Sequence, residues 1–221
     1  MHRFLKWLFF AALVRPAVLL VLGLNVRRRS LLPVRGPAII AANHNSHLDA
    51  LVLMALLPRA ALLRTRPVAA ADYFLSHRWR AAFTTGVLGI IPIVRGGTRT
   101  GQPIEAETAR DVLADCEAAL RRGDILIVFP EGTRGEPEQM ARIKSGVARL
   151  LARVPETVLV PVYTHGLGKT LPRGAWLPVP FTCDVVVGAP LAWAGDRVDF
   201  MARLRAAFET LRAEGQFPEW R

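Results

Sequence analysis

The sequence predicts an α/β fold: a mostly parallel central sheet flanked by helices, preceded by an N-terminal membrane-associated helical hairpin. Three observations predict it. Apolar runs of strand length alternate with stretches of helical period along most of the 221 residues, the pattern of a layered sheet. Phe4 to Leu24 is almost wholly apolar and carries Arg15-Pro16 at its centre. Four of the apolar runs end in chemically capable residues: Asn43-His44, Arg95, Pro130 to Arg134, and Thr164-His165. The carboxyl ends of strands are where open α/β sheets bind ligands.

The N-terminal segment is long enough to span a bilayer, which takes about 20 apolar residues. An arginine at its middle is costly for a span, and a proline interrupts a helix. Basic residues flank both ends, His2-Arg3 with Lys6 before and Arg27-Arg28-Arg29 after. Positive flanks mark the cytoplasmic side. Two short helices, broken at Arg15-Pro16 and dipping into the cytoplasmic leaflet, satisfy both constraints; Trp7 and Phe9-Phe10 suit an interface. A cleaved signal peptide is the competing reading, but Asn25-Val26-Arg27 follows the apolar run where small residues would stand. The expected division is therefore 1–29 for the membrane segment and 30–221 for the main domain.

In that domain Ala38–Ala42 reads as a buried strand, and Asp49–Leu57 as a helix stopped by Pro58. Ile90–Val94 is strand-like, its Pro92 marking an irregular or edge position. Ile104 to Leu120 follows a helical face and ends at Gly123. Asp124–Phe129 is a strand, Lys144–Val154 a helix, and Val158–Tyr163 and Asp184–Val187 are strands. Val198, Met201, Leu204, Phe208 and Leu211 line one face of a closing helix.

Composition narrows the function. Apolar residues make up 52% of the chain, which excludes disorder. The net charge of +11 calls for an anionic partner, either a lipid surface, a phosphorylated substrate or nucleic acid. An apolar N-terminus and polar groups at successive strand ends argue against nucleic acid. Cys116 and Cys183 have neither metal nor redox spacing and read as buried thiols in a reducing setting.

"NHNSHLD", residues 43–49, lies between two core-like runs and allows two readings. Ser46-x-x-Asp49 fits a helix capping box. Alternatively His44 is a base and Asp49 the carboxylate that orients it, provided the chain turns between them. His47 reads as structural or as a rim residue. No nucleophile stands beside His44, so as a base it would activate a hydroxyl of the substrate. "FPEGTR", residues 129–134, is either an anion site or a loop with an internal Glu–Arg pair. In the first case Gly132 admits close backbone approach, Glu131 accepts from a substrate hydroxyl, and Arg95 and Arg134 bind phosphate, with Lys144 adding charge.

Together these residues resemble the lysophospholipid or glycerolipid acyltransferases, of the 1-acylglycerol-3-phosphate acyltransferase type. Asn43 to Asp49 matches the first motif, N-H-x-x-x-x-D. Gly89 to Arg95 matches the second loosely, with Ile91 where many members have Phe. Phe129 to Arg134 matches the third in full, and Val160-Pro161-Val162 the fourth. The resemblance implies His44 and Asp49 as the catalytic pair. It implies Arg95, Glu131, Gly132, Thr133 and Arg134 as the site of the phosphorylated acceptor. It further implies acyl-CoA or acyl carrier protein as co-substrate, no metal or bound cofactor, and work at the cytoplasmic face of the inner membrane. An apolar groove for the acyl chain would come from Leu51–Leu57, or from Phe74, Trp79 and Phe83.

Overall fold

The computed structural model describes residues 2–46, 48–70, 83–93, 111–133, 140–170, 179 and 181–217. The expectations at His47, Phe74, Trp79, Val94, Arg95, 104–110 and Arg134 lie outside the described residues.

Helix α1 (His2–Phe9), a π turn (Phe10–Val14) and α2 (Arg15–Val21) run on without a break, so the expected hairpin is one helix. The proline is absorbed rather than obeyed. Pro16 has no N–H and crowds the preceding turn, and the chain widens just before it into i→i+5 pairing, with Arg15 N–H donating to Phe10 O. By length and composition this helix is long and apolar enough to cross a membrane. Its row at spacing four, Lys6, Phe10, Val14 and Val18, is buried against the domain. Phe4, Leu5, Leu8, Leu13, Leu19 and Leu20 are exposed.

Strand β1 (Leu22–Arg27) follows directly. It pairs in parallel with the last strand, so residues 22–27, expected in the membrane segment, belong to the sheet. The basic run then clamps the two ends of the chain together. Arg27 donates to Glu214 O, while Arg28 pairs with the Glu214 carboxylate at 2.7 Å and donates to Val187 O. Arg29 donates to Leu56 O.

The main sheet is built from β2 (Ala38–Ala42), β3 (Thr65–Ala70), β4 (Ile91–Ile93), β5 (Ile125–Val128), β6 (Val158–His165) and β7 (Phe181–Val187). Helices α3 (Asp49–Leu56) and α4 (Arg59–Arg64) follow β2, and α5 (Ala114–Arg121) precedes β5. Helix α6 (Gly146–Arg153) precedes β6, α7 (Leu167–Thr170) follows it, and α8 (Arg197–Gly215) closes the chain. The strand order is β1-β7-β6-β2-β5-β3-β4. Among the described residues every pairing between these strands is parallel except β6 with β7. The sheet is thus mostly parallel with helices on both faces, as expected.

Strand β3 was not expected. Pro67 and two alanines hide it, and it works as a hinge in the ladder: Thr65–Pro67 pair with β5 and Val68–Ala70 with β4. One face of the sheet packs Ile40, Ala42, Val160 and Val162 against α3 and the N-terminal helix. The other packs Ile39, Ala41, Leu126 and Tyr163 against α5, α6 and α8. Val198, expected on the buried face of α8, is exposed, and Phe200 takes its place. Of Leu51–Leu57, offered for an acyl groove, Val52 to Leu57 are core and Leu51 is partly buried against it. Phe83 packs edge-on to Phe9. Both cysteines are buried thiols that form no disulfide, and burial pushes the Cys116 thiol up to about 12, far from nucleophile range.

Candidate active site

Three parallel neighbours, β6, β2 and β5, place the ends that carry His165, His44 and Glu131 along one edge of the sheet. The end of β2 is pinned to β6 by a side chain. Asn43 Nδ2 donates to Thr164 O at 2.8 Å, and Thr164 N–H donates back to Asn43 Oδ1 at 2.7 Å. Asn45 Nδ2 donates to the same carbonyl. The asparagine thus continues the ladder past the last paired residues.

His44 lies next, where the chain leaves the sheet. Its ring stacks on Phe129, with centroids 4.2 Å apart and planes inclined by 19°. Its Nδ1 lies 2.9 Å from Asp49 Oδ2. The carboxyl is fully buried at the first turn of α3. The same Oδ2 accepts the amide N–H groups of Asn45, at 2.7 Å, and Ser46, at 2.9 Å. Asp49 Oδ1 is buried and has no hydrogen-bond partner among the described residues.

Cap and dyad are therefore one arrangement. Asp49 reaches back to Ser46 N–H as in a capping box, but Ser46 Oγ takes the N–H of Leu48 instead of the Asp49 amide. The turn that starts the helix is also the turn that brings residues 44 and 49 together. Burial pushes the Asp49 carboxyl up, and the imidazole and the two amides pull it back. A carboxylate at Nδ1 favours the tautomer that carries its proton there, an arrangement in which the Nε2 lone pair can accept a proton.

Glu131 sits behind His44. Its Oε1 accepts the His44 amide at 2.8 Å and its Oε2 the Ala141 amide at 2.7 Å. The side chain is 3% exposed. Burial pushes its carboxyl up, and the two amides pull it down. The sequence offered Glu131 to a substrate hydroxyl; in the structure each of its oxygens accepts one backbone amide, so the residue also braces His44. Gly132, with φ +75°, lies in the turn closed by its own N–H on Phe129 O. A side chain at 132 would strike Lys144, whose Nζ comes within 2.7 Å of an added Cβ. Lys144 N–H donates to Pro130 O, and its side chain is exposed. Thr133 is exposed at the end of the turn.

The structure brings His44 and Asp49 together and sets the 129–133 turn beside them. The sequence named Asn43 and Thr164 at strand ends and held Asn45 and Phe129 inside its motifs, but it gave no sign of the Asn43–Thr164 and Asn45–Thr164 bonds or of the His44–Phe129 stack; those partners lie far apart in the chain, so local spacing carried no signal. His165 is not beside His44. It lies against Phe217 on the opposite face of the sheet, rings 4.4 Å apart.

A family profile named Acyltransferase matches residues 23–165. A Dictyostelium discoideum protein named Taffazin is 29% identical over 70% of this chain and 55% of its own length. The mouse protein named 1-acyl-sn-glycerol-3-phosphate acyltransferase alpha is 30% identical over 86% of this chain and 70% of its own. Other curated relatives are longer, the chain spanning as little as 35% of their length. The crystal structure of the 1-acyl-sn-glycerophosphate acyltransferase PlsC from Thermotoga maritima superposes with a TM-score of 0.73 at 16% identity, covering 96% of this chain and 80% of that one, a likeness of fold. With the profile spanning both the His44–Asp49 turn and the 129–134 segment, the chain belongs to the acyltransferase family.

Proposed function

We propose that the chain transfers a fatty acyl group from acyl-CoA or acyl carrier protein to the hydroxyl of a lysophospholipid, foremost 1-acylglycerol-3-phosphate, giving phosphatidate. The observation that carries this reading is the His44 Nδ1 to Asp49 Oδ2 contact of 2.9 Å at the strand edge, which leaves Nε2 for chemistry. His44 Nε2 takes the proton of the acceptor hydroxyl as its oxygen attacks the thioester carbonyl. The tetrahedral intermediate collapses, the C–S bond breaks, and the proton passes to the departing thiolate. Asp49 stabilises the imidazolium between the two transfers, and such general base catalysis is worth about 10²–10⁴ in rate. The reaction needs no metal or bound cofactor.

Gly132, Thr133 and Lys144, with Arg95 and Arg134, form the proposed acceptor head-group site. Support comes from the exposed ammonium of Lys144 over the Gly132 turn, since a phosphate monoester takes charge-assisted bonds from such groups. The exposed apolar face of the N-terminal helix lies in the cytoplasmic leaflet of the membrane, where acceptor and product reside, and the positive charge of the chain favours anionic lipid. Several relatives are named 1-acyl-sn-glycerol-3-phosphate acyltransferase, and that name guides the choice of acceptor. The test is to incubate purified protein with labelled palmitoyl-CoA or oleoyl-CoA and a panel of lysophospholipids, resolving products by mass. Labelled phosphatidate as the main product supports the reading; no labelled ester with any acceptor contradicts it.

A further inference from the structure

Arg15 stands in an apolar helix, where a charge is costly, and the proposed reaction gives it no task. The structure gives it one. Its Nε donates to Ala55 O at 3.2 Å and its Nη2 to Leu57 O at 2.5 Å. Arg29 donates to Leu56 O through Nε at 3.1 Å and Nη2 at 2.7 Å. Three consecutive carbonyls at the end of α3, groups that a helix cannot satisfy itself, are thus held by two guanidinium forks. The residue at the other end of α3 is Asp49.

Helix α3 has eight residues and is about 12 Å long. Its sides are packed with Val52, Leu53 and Met54, all buried. Apolar packing resists separation but is non-directional. Bonds to carbonyls at the helix end are directional, and they fix where the helix stands along its own axis. A slide or tilt of so short and tightly packed an element carries Asp49 with it.

We propose that Arg15 is a positioning residue for the His44–Asp49 pair, acting through α3, so that the seat of the N-terminal helix sets the geometry of the dyad. Its kinetic consequence rests on the base role proposed for His44; its structural consequence does not.

The experiment compares the full chain with Arg15→Met and Arg15→Lys in mixed micelles. The readouts are kcat and acceptor KM per folded molecule, and the downfield proton resonance of the His44 Nδ1–H, identified by its loss in His44→Ala. Misplacing a catalytic group by 1 Å costs on the order of 100-fold. Arg15→Met is therefore expected to lower kcat about tenfold or more, with KM within about twofold, and to shift or broaden the resonance. Arg15→Lys is expected to restore part of both. Wild-type kcat and an unchanged resonance in Arg15→Met overturn the proposal, even if its stability falls; so does a change in KM alone. Should Arg15→Met fail to fold, Arg29→Met, which frees Leu56 O alone, is read by the same criteria. If the unaltered protein makes no ester, the proposed function has failed, and the resonance still decides the role of Arg15.

Discussion

An oxygen that receives one imidazole nitrogen and two backbone amides cannot be exchanged for an amide side chain without loss. In Asp49→Asn the carbonyl oxygen can keep the Asn45 and Ser46 amides only by turning its NH2 away, and it no longer balances an imidazolium. We expect kcat to fall by about 10²–10⁴ with little change in acceptor KM and an unchanged circular dichroism spectrum. An equal rise in KM with kcat intact would contradict the orienting role. Glu131→Gln tests the brace in a different way. One of two buried amides, from His44 or Ala141, must then face an NH2, an unsatisfied donor worth about 1–3 kcal/mol. Chemical denaturation should show a loss of that size, together with a lower kcat because His44 is displaced; unchanged stability would remove the brace. At this scale the sequence was legible where partners are close. His44 and Asp49 are five apart, and one turn decides their meeting. Asn43 and Thr164 are 121 residues apart, and only the β2–β6 pairing brings them together.

Elements were legible where their period was undisturbed. Ala38–Ala42, the strand ending at Val128 and the one starting at Val158 are continuous apolar runs, and the sheet contains them with shifts of a residue or two at the ends. Strand β1 alternates correctly, Leu22, Leu24 and Val26 against Gly23, Asn25 and Arg27, but it adjoins a longer apolar run that masks the change of period. The hairpin failed because a proline near the middle of a helix breaks it only when the chain has no other accommodation, and here a π turn supplies one. The same helix buries Lys6, whose Nζ donates to Thr65 O at 2.6 Å and Leu88 O at 3.0 Å. Burial, with Arg66 nearby, depresses this ammonium from 10.5 to about 7. Between those values the unfolded chain binds more protons than the folded one. Stability therefore rises with pH across that window, and the deficit is complete below it. The effect is at most about 5 kcal/mol. In Lys6→Met the rise between pH 7 and pH 10 should flatten, as followed by urea denaturation in detergent; an undiminished rise would place its source elsewhere.

Over the whole molecule, one face of the N-terminal helix is committed to the domain and the other to the exterior. Leu13 is 58% exposed and Leu20 86%, so aspartate at either position should leave the fold stable. Each should weaken flotation with phosphatidylglycerol vesicles, because a charge is moved into the apolar layer. Binding of the unaltered chain should decline as salt rises, since its +11 charge is screened. Vesicle binding unaffected by both substitutions would move the membrane face to another surface. The basic residues at 27–29, which the sequence read as a flank marking the cytoplasmic side, are engaged with Glu214, Val187 and Leu56, a use that composition alone cannot reveal.

The most direct measurement of the central claim is the rate of labelled ester formation by His44→Ala, purified in its folded state, against the unaltered chain with the same acyl-CoA and 1-acylglycerol-3-phosphate. A base at the end of β2 predicts a loss of about 10² or more with the fold intact. Ester formation by His44→Ala at the unaltered rate would contradict it.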